Sequence, residues 1–176
     1  MIFSASPLPG VWVLQLEPLH DDRGYFARTF AVAEFERHGL DPTVVQCSVS
    51  FNPRRGTLRG MHYQADPFGE CKLIRCIRGA VYDVLVDLRR DSPAYCRWLG
   101  VELTPDNGTM VYAPVGVAHG LLTMQDDSEV AYQISVPFVP EAARGVRWND
   151  PAFGIEWPAA VELISERDLT YPDFTP

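Results

Sequence analysis

Residues 80–88 read Ala-Val-Tyr-Asp-Val-Leu-Val-Asp-Leu, a near-perfect period of two. An extended strand converts that period into one apolar and one mixed face. Similar short runs recur at 10–16, 25–30, 44–51, 57–64, 72–77, 98–104, 109–113, 120–124 and 129–137. Turn residues separate them, drawn from fifteen prolines and thirteen glycines scattered along the chain. Many short strands at near-regular spacing predict an all-β sandwich or barrel of jelly-roll type. Residues 31–38 are the best helix: Val32 and Phe35 share a face, and Gly39 stands where a helix ends. The segment from 150 to 176 holds four prolines and is expected to be irregular.

No repeat or linker divides the 176 residues, so a single domain over 1–176 is expected, large enough to bury a core unaided. No apolar run reaches the length of a membrane span, and Met1-Ile2-Phe3-Ser4 does not begin a leader, which predicts a cytoplasmic protein. Cys47, Cys71, Cys76 and Cys96 have irregular spacing, fitting neither a zinc site nor a disulfide framework; reduced, mostly buried thiols are expected. A net charge of −8 argues against general nucleic-acid binding. It leaves room for a small anion held by a few converging arginines.

Chemistry concentrates in Gly56-Thr57-Leu58-Arg59-Gly60-Met61-His62-Tyr63-Gln64. In a regular strand His62 and Arg59 face opposite ways, but a glycine bend at Gly60 brings them together. An imidazole titrates near neutrality and suits a general base. Asp168 is a carboxylate that can orient it, and Tyr132 is a donor for the opposite side. Arg23, Arg59 and Lys72, if they converge, suit a diphosphate. His119 lies in Pro114-Val115-Gly116-Val117-Ala118-His119-Gly120; with the strand histidine and the Arg78-Gly79 turn, this resembles the two halves of a cupin motif. His62, Glu70 and His119 form a conceivable three-ligand metal site, although Gln64 stands where a metal cupin places a second histidine. The metal-free pocket, with no cofactor, is the reading carried forward.

Six motifs in order then resemble one family. They are Asp22-Arg23-Gly24-Tyr25-Phe26, Leu58-Arg59-Gly60-Met61-His62-Tyr63-Gln64, Lys72-Leu73-Ile74-Arg75, Val84-Leu85-Val86-Asp87-Leu88-Arg89, Pro114 to Gly120, and Arg144-Gly145-Val146-Arg147-Trp148-Asn149-Asp150-Pro151. The chain resembles the dTDP-4-dehydrorhamnose 3,5-epimerase family, metal-independent cupins of deoxysugar biosynthesis. The resemblance implies a cupin jelly-roll that inverts C3, C5 or both of a nucleotide-linked 4-keto-6-deoxy sugar through an enolate. It implies His62 as base paired with Asp168, Tyr132 as proton donor and Lys72 beside the enolate oxygen. Arg23 and Arg59 would contact diphosphate and sugar, Gln46 and His119 would line the pocket, and Phe138 would stack on the base. It also implies a homodimer that exchanges N-terminal strands.

The substrate-holding set departs from the family pattern. Ser48 replaces an asparagine, Arg28 and Ala143 replace glutamates, and Arg167 replaces a lysine. A different nucleotide or sugar, or inversion at one carbon, is the expectation from these changes. The alternatives are a metal-dependent cupin enzyme and a non-catalytic sugar-nucleotide binder. A pure binder has no need of the acid–base set.

Overall fold

Fourteen short strands and two short helices carry the chain in the computed structural model, which describes residues 1–176. They run β1 (Ile2–Ala5), β2 (Trp12–Gln15), β3 (Leu19–Asp21), β4 (Gly24–Phe26), α1 (Val32–Arg37), β5 (Gln46–Asn52), β6 (Thr57–Gln64) and β7 (Lys72–Arg78). Next come β8 (Val81–Asp87), β9 (Trp98–Leu103), β10 (Thr109–Ala113), β11 (Val117–Thr123) and β12 (Ser128–Ile134). A 3-10 turn (Pro140–Ala142), β13 (Ala143–Gly145), β14 (Leu163–Ile164) and α2 (Glu166–Leu169) complete the order. One sheet has the order β1-β2-β10-β7-β12-β5. The other is β13-β6-β11-β8-β9, with β14 added in parallel to β6. A separate hairpin pairs β3 with β4. The fold is the jelly-roll that the strand spacing predicts.

Period-two alternation sends each strand's side chains to two different cores. Between the sheets, Ile74, Cys76 and Val111 of the first meet Val81, Leu85 and Leu121 of the second. The outer face of the first sheet buries Leu14, Leu73 and Met110 against Phe35 of α1. The outer face of the second buries Met61, Val84 and Val86 beneath Val146 and Phe153 of the C-terminal segment. Burying a side chain of this size contributes about 1.5–3 kcal/mol, so the C-terminal segment is anchored rather than draped. Asp150 fixes it further, accepting from the N–H groups of Ala152 (2.9 Å) and Phe174 (2.7 Å).

Several boundaries differ from the sequence expectations. Residues 2–5 form a strand whose partner is only β2, so no local alternation announces it. The run at 25–30 stops pairing at Phe26. Val32 does not share the burial of Phe35: it is 49% exposed at the first helical position. Cys47 is exposed on β5, whereas Cys71 and Cys76 are buried; all four thiols are free. The C-terminal stretch is not wholly irregular. Ser165 caps α2, its hydroxyl accepting from the Asp168 N–H at 3.1 Å. No helix is long and apolar enough to cross a membrane.

Candidate active site

An extra residue in β6 shapes the site. His62 pairs with His119 and Arg59 with Leu121, so three steps on β6 answer two on β11. Such a bulge shifts the strand's parity. Arg59 and His62 therefore face the same side, between the sheets, while Met61 enters the outer core. Gly60 makes this possible. Its φ is +133°, and a Cβ there would sit 2.5 Å from the Gly120 Cα. The sequence expectation of a glycine bend uniting Arg59 with His62 matches this arrangement.

Asp168 seals the bend. One carboxylate oxygen accepts the Gly60 N–H at 3.1 Å, and the other lies 2.6 Å from His62 Nε2. The carboxylate is buried, while the His62 side chain is 37% exposed with Nδ1 free of protein partners. Burial pushes the Asp168 carboxyl up, but the His62 hydrogen bond and charge, the Gly60 N–H and Ser165 outweigh it and hold it below the usual carboxylate range. A recess of about 370 Å³ opens over His62, Asp168, Arg59 and Arg167. Arg167 is exposed and donates from Nε to the Tyr171 hydroxyl at 2.9 Å.

His119 stands opposite His62 and is buried, its Nε2 2.6 Å from Asp83. Asp83 is fully buried, and burial raises its carboxyl above the ordinary value despite the opposing charge of His119. The role of Asp83 escaped the sequence reading. Its signal lay in residues 80–88, where an aspartate occupies the core-facing parity of Val81 and Leu85. Tyr132, from the facing sheet, packs edge-on to His119 with ring centroids 6.0 Å apart. Burial pushes its phenol up to about 12; a Ser50 hydrogen bond opposes the rise, Asp83 adds to it and Arg59 opposes it. Lys72 shares the inner face of its strand with Ile74 and pairs with Glu70 at 2.7 Å.

Gln46 and Ser48 lie on the inner parity of β5, opposite Ile134 and Tyr132. The Gln46 side chain accepts the N–H of Phe138, which is exposed. Arg23 and Arg28 do not join this group within one chain. Arg23 sits at the tip of the β3–β4 hairpin, its side chain 89% exposed and paired with Asp21. Arg28 is 3.8 Å from Glu34. Ala143 opens β13 and pairs with Gln64. The three-ligand metal arrangement does not form: no three His, Cys, Asp or Glu side chains converge to hold an ion. His62 and His119 each turn to a separate aspartate, and Glu70 turns to Lys72.

The sequence model of the dTDP-4-dehydrorhamnose 3,5-epimerase family matches residues 5–175. A dTDP-4-dehydrorhamnose 3,5-epimerase of Methanothermobacter thermautotrophicus is 41% identical over 173 residues, covering 96% of this chain and 92% of that protein. The crystal structure of the dTDP-4-dehydrorhamnose 3,5-epimerase from Elizabethkingia anophelis superposes with a TM-score of 0.95 at 31% identity, covering 99% of this chain and 96% of that one. A 3'-monoepimerase from Streptomyces bikiniensis, solved in complex with dTDP-quinovose, gives a TM-score of 0.89 at 35% identity, covering 96% and 85%. A histidine–aspartate pair beside a recess in a jelly-roll and agreement over nearly the whole length converge: the chain belongs to the dTDP-4-dehydrorhamnose 3,5-epimerase family, enzymes of the isomerase class.

Proposed function

We propose that this enzyme inverts C3, C5 or both of a dTDP-linked 4-keto-6-deoxy sugar by proton exchange through an enolate. The observation that carries the reading is the opposition of two proton-handling groups. His62, with Asp168 on Nε2, approaches from one sheet, and the protonated Tyr132 comes from the other. The 4-keto group acidifies the neighbouring C–H bonds. His62 Nδ1 removes such a proton, and its electron pair moves into the enolate. Tyr132 delivers a proton to the opposite face, which inverts the centre. Lys72 lies on the inner face to stabilise the charge on the enolate oxygen. Asp168 stabilises the imidazolium, and His119, held by Asp83, lies beside both His62 and Tyr132.

Arg59 and Arg167 flank the recess and suit the diphosphate, with the exposed Phe138, held to Gln46, for the base and Gln46 and Ser48 along β5 for the sugar. Arg23 and Arg28 stay away from the recess within one chain, so we propose a homodimer in which the N-terminal strands exchange and carry them to the partner's pocket. The hairpin's exposed Leu19, Tyr25 and Phe26 and the unpaired edge of β5, with Val45, Val49 and Phe51 exposed, supply apolar surface for it. Sedimentation equilibrium giving a 19.7 kDa species would overturn the dimer.

Ser48, Arg28 and Ala143 point to a substrate other than dTDP-4-keto-6-deoxyglucose as the preferred one, or to inversion at one carbon. Proton NMR of that sugar nucleotide in D2O tests both levels. Deuterium entry at C3 or C5, lost in His62→Ala, supports enolate chemistry; rapid inversion of both centres sinks the altered specificity. Absence of exchange with this and with other dTDP-linked 4-keto-6-deoxy sugars would overturn the reading.

A further inference from the structure

Tyr132 has one side-chain hydrogen-bond partner, Ser50 on the neighbouring β5, with 3.3 Å between the two hydroxyl oxygens. Ser50 is in turn held by Asn52, which is fully buried. The Asn52 Nδ2 donates to the Ser128 carbonyl at 3.2 Å and to Ser50 Oγ at 3.5 Å. Its Oδ1 accepts from Arg59 Nε at 2.6 Å. A guanidinium can only donate, so the Asn52 amide oxygen must face Arg59 and its NH2 must face Ser50. The result is a hydrogen-bonded chain from Arg59 of the second sheet through Asn52 and Ser50 to Tyr132 on the inner face of the first, directed as far as Ser50; in the last link either hydroxyl can donate.

Resting on the assignment of Tyr132 as proton donor, we infer that Ser50 is its positioning residue: it aims the phenol at the substrate and donates its hydroxyl hydrogen to the phenolate left behind. When Tyr132 acts, its O–H bond breaks and a new C–H bond forms from the enolate electron pair. The C4 oxygen returns to a carbonyl, and the negative charge passes to the tyrosine oxygen. A phenolate can only accept hydrogen bonds, so Ser50 must then donate. Asn52 keeps a lone pair of Ser50 occupied, which leaves the serine hydrogen for that task. No proton leaves Ser50; solvent water reprotonates Tyr132, and His62 returns its proton to solvent. The environment makes this assistance necessary, because burial works against the phenolate while the Ser50 bond and the nearby Arg59 favour it.

The consequence is a change in partition. Without the Ser50 hydroxyl, His62 forms the enolate at its normal rate, but delivery from Tyr132 slows. The enolate then returns more often from the His62 side, taking solvent deuterium with retained configuration. Purified Ser50→Ala and Ser50→Thr enzymes, incubated with dTDP-4-keto-6-deoxyglucose in D2O, report deuterium entry and inversion separately at each carbon. The Ser50→Ala enzyme should lose inversion roughly ten- to a hundredfold relative to exchange, the loss of a hydrogen bond to a charged group. Ser50→Thr, which keeps the hydroxyl, should restore the wild-type ratio. An unchanged ratio in Ser50→Ala, whatever the total rate, overturns the assignment, as does a threonine variant that behaves like alanine. Should Ser50→Ala fail to fold, Ser50→Cys, close in volume and a weaker donor, is read by the same ratio. A wild-type enzyme that neither exchanges nor inverts this or any other dTDP-linked 4-keto-6-deoxy sugar overturns the epimerase reading itself, and this assignment with it.

Discussion

His62 and His119 face each other across adjacent strands, yet each turns Nε2 to a different aspartate, at 2.6 Å in both cases. The resemblance ends there. The His62 partner comes from a helix at the surface, and its ring stays open to the recess; the His119 partner comes from the sheet interior, and both are buried. In the proposed mechanism the first pair exchanges protons with the ligand, while the buried second pair holds its place.

Removing the carboxylate charge tests that division. Asp168→Asn keeps the shape of the side chain but cannot stabilise an imidazolium. Turnover should fall roughly 10²–10⁴-fold with KM little changed. Steady-state kinetics across substrate concentration checks it; a loss confined to KM would remove Asp168 from the acid–base machinery.

Gly60 should not accept alanine. The added methyl would meet the Gly120 Cα at 2.5 Å and the His119 carbonyl at 3.0 Å, on a backbone at φ +133°. A destabilisation of about 3 kcal/mol is expected from overpacking and strain together. Urea unfolding measures it, and activity should fall as well, because the Gly60 N–H holds Asp168.

Acid should unfold the protein partly through Asp87. Burial raises this carboxyl, but hydrogen bonds from Arg89 and Ser92 outweigh it and hold it below its usual value. Its folded pKa therefore lies below the unfolded one, about 3.9. The stabilisation is complete above that value and is lost as pH falls through the folded one. Asp87→Asn, which leaves Arg89 without its charged partner, should cost about 3 kcal/mol at pH 7. It should also weaken the loss of stability below pH 4, visible in urea titrations at a series of pH values.

Chelation should leave the enzyme intact. His62, Glu70 and His119 each have a separate partner, so none is poised to share an ion. Activity after dialysis against EDTA should equal that of untreated enzyme; loss on dialysis and recovery with added metal would contradict this.

Most of the longer strands, β6 among them, were legible because period two is a local property, printed directly in residues such as 80–88, whereas the full count of fourteen was not. The approach of Asp168 to His62 was legible as a candidate pair, and the bend at Gly60 was legible from the glycine. What could not be read was long-range pairing. β1 and β14 have four and two residues, and partners elsewhere define them. The chain from Arg59 to Tyr132 joins three strands through Asn52 and Ser50, and no spacing along the sequence reveals that they touch. Arg23 and Arg28 show the same limit in another form: their motifs are plain, but a single chain keeps them away from the recess.

The additional residue in β6 has a consequence for how this chain can change over evolutionary time. Because it sets which sheet surface every side chain before it meets, deleting one residue between Arg59 and His62 would not trim the strand. It would turn Arg59 outward into the apolar layer, or carry His62 away from Asp168, and exchange inside for outside along half the strand. Insertions and deletions are thus closed to this segment, and sequence drift there must proceed by substitution alone.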